Sequence, residues 1–418
     1  MKDKTVYVIG AGLSGLSAAT ALACEGARVE LFEAAGQAGG RCRSYFDPTL
    51  GQIIDNGNHL VLSGNDATFA YLRRIGAEQA LAGPDAARFA FVDVRSRARW
   101  TIAPNDGPVP WWAMVRQRRV PDTRLADYLP LAGLLWAGRK KPIRDVIACQ
   151  GPLWERLMRP FLLAALNTEP ETASAALAGA VIRETLARGG QAYRPRIAQP
   201  TLAAAFVDPA IALLGQKGST VRLGQRLRRI VFDGSKAAAL EFPEKTIPLS
   251  QRDAVIVAAP PWVARDLVPG TLAPDDFRAI VNAHFKVAPP ADAPMMLGVI
   301  GGTAEWIFSF ADRVSVTISA ADRLIEMERD ALAALIWRDV ADALGLESAP
   351  PPWQIVKEKR ATFAATPQQA SKRAAAATRW TNLFLAGDWT ATSLPATIEG
   401  AVRSGHKAAR LALRRIAV

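Results

Sequence analysis

The sequence predicts an α/β protein in which a Rossmann-type nucleotide-binding domain is interleaved with an α+β substrate domain. Three observations carry that reading. The apolar run Thr5-Val6-Tyr7-Val8-Ile9 leads into Gly10-Ala11-Gly12-Leu13-Ser14-Gly15. At the other end of the chain, Leu383-Phe384-Leu385-Ala386 closes on Gly387-Asp388. Between them, Asp253-Ala254-Val255-Ile256-Val257-Ala258-Ala259 stays apolar up to Pro260-Pro261, the pattern of a buried parallel strand.

Gly10 and Gly12 permit a tight strand-to-helix turn and close approach of backbone to a pyrophosphate, and Gly15 lets the helix sit on its strand. That helix, roughly Leu13 to Glu25, aims its first N–H groups at the phosphates. The next strand, Arg28 to Phe32, ends at Glu33. A carboxylate about 20 residues beyond the glycines accepts hydrogen bonds from ribose hydroxyls and repels a 2′-phosphate. Gly39-Gly40-Arg41 then suits a loop whose guanidinium clamps phosphate. A GxGxxG turn alone indicates only a dinucleotide. Paired with the Gly387-Asp388 strand it indicates FAD, and the chain must fold back on itself to complete the site. Trp389-Thr390-Ala391-Thr392 and a long helix, from about Pro395 to Arg415, follow Asp388. Pro395 and Thr397 mark its start, and its positive end would lie beside the flavin pyrimidine. Gly400 and Gly405 weaken this helix but permit close packing.

The middle of the chain alternates between the two domains. Asp55-Asn56-Gly57-Asn58-His59 precedes a helix near Asp66–Ile75. From Arg88 the pattern becomes short strands and then apolar helices as far as Ala205. Ser219–Leu223, Leu227–Phe232 and Ala237–Phe242 read as a small meander. Strands near Met296–Ile300, Trp306–Phe310 and Val314–Ser319 lead to a helix near Ile325–Leu344. The expected division assigns residues 1–87, 206–265 and 366–418 to the FAD-binding domain. Residues 88–205 and 266–365 then form the substrate domain.

Composition is globular, 50% hydrophobic and 22% charged over 418 residues, a length that favours two domains. Cys24, Cys42 and Cys149 show no metal or redox spacing, which points to a reducing compartment and no bound metal. A strand starting at Thr5 leaves no room for a signal peptide, and no apolar run approaches a membrane span. The net charge of +12 fits an anionic membrane surface or simple solubility; no nucleic-acid motif accompanies it. Trp111-Trp112-Ala113-Met114-Val115, followed by Arg116, Arg118 and Arg119, and Tyr128–Gly138, followed by Arg139-Lys140-Lys141, suit a monotopic membrane patch. A buried helix with a solvated basic end is the alternative.

Taken together, these residues resemble the flavin amine oxidase and phytoene desaturase superfamily, nearly end to end. Within it, four segments resemble the hydroxysqualene dehydroxylase family: residues 55–59, Ala165-Leu166-Asn167-Thr168-Glu169-Pro170, residues 358–367, and residues 387–401. The resemblance implies reductive loss of an allylic hydroxyl from hydroxysqualene to give squalene, on the bacterial route to hopanoids. It implies ADP-side contacts from Gly10, Gly12, Gly15, Glu33, Gly39, Gly40 and Arg41, with the backbone of Val221 meeting adenine. Gly387 and Asp388 would meet the ribityl chain or pyrophosphate, with Thr397 and Ile398 near the isoalloxazine. The implied partners are a long isoprenoid lipid and an anionic membrane, the implied place a peripheral one on the cytoplasmic face.

Loss of an allylic hydroxyl wants an acid near the leaving oxygen. His59, Lys359, Arg360 and Glu399 are the candidates, each with a plainer alternative: a turn cap, a solvated charge run, or a complement to the helix dipole. Lys286 is a candidate counterpart of the lysine that the superfamily's oxidases place near flavin, whereas His284 and His406 read as structural. Polyene desaturation and amine oxidation are the competing activities, and a flavin-free prenyl-binding escort is a third reading. No second nucleotide fingerprint is present, so the reductant is a separate donor or a transiently bound nicotinamide.

Overall fold

The computed structural model describes residues 4–417. Its first sheet is five parallel strands in the order Thr220–Arg222, Arg28–Phe32, Thr5–Ile9, Ala254–Val257, Leu383–Leu385. Every residue of Thr5–Ile9 is buried, because strands flank it on both edges and helices cover its faces. The helix Leu13–Cys24 is buried nearly all round, lying between this sheet and the C-terminal helix Ile398–Ala417. That last helix is amphipathic: Val402, Ala408, Ala409, Ala412 and Ile416 face inward, and Lys407, Arg410 and Arg414 face solvent.

The second sheet has seven strands, in the order Trp353–Phe363, Phe277–Phe285, Val314–Ile318, Trp306–Ser309, Met296–Ile300, Phe89–Asp93, Arg99–Ile102. Leu297 pairs in parallel with Ala90, so two stretches far apart in sequence share one sheet. Helix Arg329–Leu344 packs on it through Trp337, whose ring lies 4.9 Å from that of Phe285. His284 joins the two halves. Its Nε2 meets the Asp55 carbonyl at 3.0 Å and its Nδ1 meets Ser315 Oγ at 2.8 Å.

Three expectations need correction. Residues 220–222 are not part of the meander; they form the edge of the parallel sheet, beside Arg28–Phe32. The meander is Arg229–Asp233, Lys236–Glu241 and Thr246–Pro248. The helix expected from Ile325 begins at Arg329, after a 3₁₀ turn at Ala321–Leu324. Residues 111–145 form short 3₁₀ turns, with Pro130 interrupting the longest, Leu125–Trp136.

Candidate flavin site

The first turn works only with glycine. Gly10 has φ +106°, and a Cβ on Gly15 would fall 1.8 Å from the Gly10 carbonyl oxygen. A Cβ on Gly12 would instead stand in open space, and no side chain caps the helix that starts beside it. The free N–H groups at that helix start and the open approach over Gly12 fit a pyrophosphate. Glu33 sits at the strand end and braces the turn, accepting hydrogen bonds from Ala11 N at 2.7 Å and Ala35 N at 2.9 Å. Each carboxylate oxygen keeps a lone pair for a ribose hydroxyl. Val221 lies next to Leu31 on the edge strand, two positions from Glu33 along the sheet.

The two chain ends meet at Arg41. Gly39, at φ +105°, donates from its N–H to the Ala11 carbonyl at 2.8 Å and places the Gly40-Arg41 turn against Gly12. Arg41 Nη2 donates to Asp388 Oδ2 at 2.7 Å, and Nη1 donates to the Ala361 carbonyl. The expected phosphate clamp is therefore also the tie between the first and last flavin segments. Asp388 is 8% exposed and Arg41 43%, so the pair has one buried and one accessible side. Arg373 holds the loop that carries Asp388: its guanidinium donates to the carbonyls of Asp388, Trp389 and Thr390 and to Thr392 Oγ1. Trp389 Nε1 donates to the Ala259 carbonyl at 3.0 Å, anchoring the loop to the buried strand end. Thr397 Oγ1 accepts from Gly400 N at 3.0 Å and so caps the helix that begins at Ile398.

His59 lies beside Arg41, whose backbone and charge both act on its ring. Burial, reinforced by the Arg41 charge, pushes its pKa down to about 4. It is therefore neutral near pH 7 and is no standing acid. The 55–59 loop rests on Asn282, which is 2% exposed. Asn282 Nδ2 donates to the Asn56 carbonyl at 3.3 Å, and Thr317 Oγ1 donates to Asn282 Oδ1 at 2.7 Å. The Oδ1 atoms of Asn56 and Asn58 are buried with no donor among the described residues. Such atoms fit a site completed by a bound polar group.

Other candidates are placed elsewhere. Glu399 is fully engaged: it accepts from Ala67 N, Thr68 N and Thr68 Oγ1, capping helix Asp66–Ile75, and from Arg403 Nε. Its role is to link two helices. Lys359 is exposed beside Glu326, and Arg360 stacks over Trp262 at 4.9 Å. Both stand in a bulge, since Arg278 pairs with Thr362 and Ile280 with Glu358. Ala361, in the same bulge, receives Arg41. Lys286 reaches the turn between the paired strands Ser44–Asp47 and Gln52–Asp55 instead, donating to the Leu50 carbonyl at 2.8 Å. His406 accepts from Arg74 at 2.7 Å on the outer face of the last helix.

Sequence reading missed Arg373, Asn282 and Asn167. Asn167, at φ +46°, bridges Thr362 Oγ1 and the Ala320 N–H and so fixes the strand that carries the bulge. Asn56 and Asn167 lie in segments already singled out by resemblance, but Arg373 and Asn282 carry no local signal.

A family model described as flavin containing amine oxidoreductase matches residues 13–413. The chain belongs to this family. It is an FAD-dependent oxidoreductase with a Rossmann-type FAD-binding fold. Among its relatives, hydroxysqualene dehydroxylase of Rhodopseudomonas palustris is 53% identical, covering 98% of this chain and 99% of that protein. The Zymomonas mobilis protein of the same name is 49% identical over 97% and 98%. Cyclohexylamine oxidase from Brevibacterium oxydans superposes with a TM-score of 0.72 at 16% identity, covering 99% of both chains. Putrescine oxidase gives a TM-score of 0.71 at 17% identity over the full length of each, a likeness of fold.

Proposed function

We propose that this protein removes the allylic hydroxyl of hydroxysqualene, giving squalene. The observation that carries the proposal is identity of 49–53% to proteins of that name over almost the whole of each chain. Reduced FAD, when bound, supplies a hydride at N5. The chain's own residues bind and orient. Gly10, Gly12 and Gly15 open the turn for the pyrophosphate, Glu33 meets the ribose, and Arg41 with Asp388 closes the cradle. Neutral His59 beside the Arg41 charge can relay a proton toward a leaving hydroxyl but does not store one. Once protonated, that hydroxyl leaves as water, and the allylic carbon that remains is electron-poor and ready for hydride.

The substrate arrives from a bilayer. No helix among the described residues is long and apolar enough to cross one. Instead, the 3₁₀ segment presents Leu129 and Trp136, 71% and 79% exposed, together with Val109, Trp111 and Met114. Arg116, Arg118, Arg119, Arg139 and Lys140 border them, and Arg118 covers the Trp111 ring at 4.8 Å. Such a surface suits peripheral seating on an anionic membrane. Trp112 is not part of it: at 7% exposure it faces inward, edge-on to Tyr128. Amine oxidation is disfavoured by Trp380 and Trp389. Both are buried, the first stacked on Phe232 at 4.2 Å, so neither forms a cage over an open site.

Incubating the holoprotein with hydroxysqualene and excess chemical reductant is expected to accumulate squalene. Absence of squalene, with phytoene desaturated by the oxidised protein, would replace this reading by the desaturase one.

A further inference from the structure

Away from the flavin cradle, a cleft of about 680 Å³ runs along the C-terminal helix. The far end of the first helix, Ala21 to Glu25, forms one wall, and the loop Ala391-Thr392-Ser393 closes one end. Its lining is strongly cationic: Arg74, Arg403, Lys407 and Arg410 against a single carboxylate, Glu25. Arg403 is already neutralised by Glu184, at 2.6 Å, and by Glu399. Arg74, Lys407 and Arg410 have no carboxylate within ion-pair distance among the described residues.

Arg74 is the telling member. It is half-buried, and its Nη1 donates to His406 Nε2 at 2.7 Å. A guanidinium has no lone pair, so His406 must accept, which makes it neutral and protonated on Nδ1. Burial, with Arg74 and Arg410 beside it, agrees by holding the His406 pKa down at about 4. A half-buried cation bonded to a neutral ring, with Glu25 nearby but beyond ion-pair distance, is under-compensated charge, and an anion is its natural partner. Positions 407 and 410 share one helical face a turn apart and, at 1.5 Å per residue, are separated by about 4.5 Å along the axis. That spacing suits an anion with two charged groups, and the volume is that of a small-molecule site.

We propose that this cleft binds a diphosphate-bearing anion, held by Arg74, Lys407 and Arg410, at a site separate from the flavin pyrophosphate. The diphosphate could be borne by a soluble nucleotide or by a membrane lipid. Both sources share the recognised chemistry, and the test separates them.

The test uses the FAD-loaded full-length protein. Calorimetric titration with inorganic pyrophosphate is expected to show one saturable site whose affinity falls with added salt. The exposed pair Lys407→Ala and Arg410→Ala, made together, should weaken it by at least ~tenfold, with flavin absorbance and melting temperature unchanged. Arg338→Ala, an exposed cation elsewhere, should leave it unaltered. Pyrophosphate binding with no gain in pelleting when diacylglycerol pyrophosphate replaces phosphatidylglycerol in vesicles assigns a soluble diphosphate. A gain in pelleting on the diphosphate lipid that the double substitution abolishes assigns a lipid headgroup. Neither result, or binding indifferent to both substitutions, overturns the proposal.

Discussion

The decisive contact at the scale of single residues is Arg41 with Asp388, two side chains 347 positions apart. Each is proposed as a cofactor contact from the local motif in which it sits. Their pairing was not legible, since nothing near either residue marks a partner at the other end of the chain. Asp388→Asn keeps the shape and removes the charge. A hydrogen bond to a charged group contributes roughly 1.5–3 kcal/mol, so flavin retention should weaken by about tenfold or more. Flavin fluorescence released on dilution measures this; release identical to the parent protein contradicts it. Glu399 tests the opposite case. Glu399→Gln leaves two backbone N–H caps and Arg403 poorly matched, at a cost of about 1–3 kcal/mol. The melting temperature should fall while turnover per bound flavin persists. A stable variant without turnover would restore Glu399 as a proton donor.

Among the elements, the C-terminal helix matters most, because it touches the flavin loop, the first helix and helix Asp66–Ile75. Its amphipathic period and its glycines were readable; which glycine made the close contact was not. A Cβ on Gly405 would fall 2.2 Å from the Ser14 carbonyl oxygen. Gly405→Ala should therefore push the two helices apart, costing about 1–3 kcal/mol or more. Thermal melting checks it, and an unchanged midpoint sinks the packing argument. Strand Trp353–Phe363 was missed as a strand because Lys357 to Arg360 break its alternation, and those residues are charged where the strand bulges. The 3₁₀ segment showed its apolar and basic residues in sequence but not its lack of regular helix. Leu129→Ser with Trp136→Ser should cut pelleting on anionic vesicles severalfold, whereas unaltered pelleting would remove the membrane-seating reading.

Across the whole molecule, the return of the chain to the nucleotide fold was visible in three apolar strands ending at Gly10, Ala259 and Asp388. Invisible was the sharing of one sheet by the two excursions, a pairing of Leu297 with Ala90 set by tertiary packing alone. The assembled fold also sets its pH response. His59, His284 and His406 are all pushed down to about 4, mainly by burial. A depressed histidine pKa adds stability that is present above about 6.5 and is lost as pH falls through about 4. Glu305 acts in the opposite direction: burial raises its pKa to about 7, so its contribution is complete below the ordinary carboxylate range and is lost as pH rises through 7. Three groups outweigh one, and the melting temperature should fall steadily from pH 6.5 to 4; a rise over that window would contradict the assignment. The central claim, that FAD held by both ends of the chain delivers hydride to hydroxysqualene, is tested most directly by anaerobic single turnover. Mixing reduced holoprotein with hydroxysqualene should restore oxidised-flavin absorbance near about 450 nm and release one squalene per flavin. Flavin that stays reduced, with hydroxysqualene recovered intact, would contradict it.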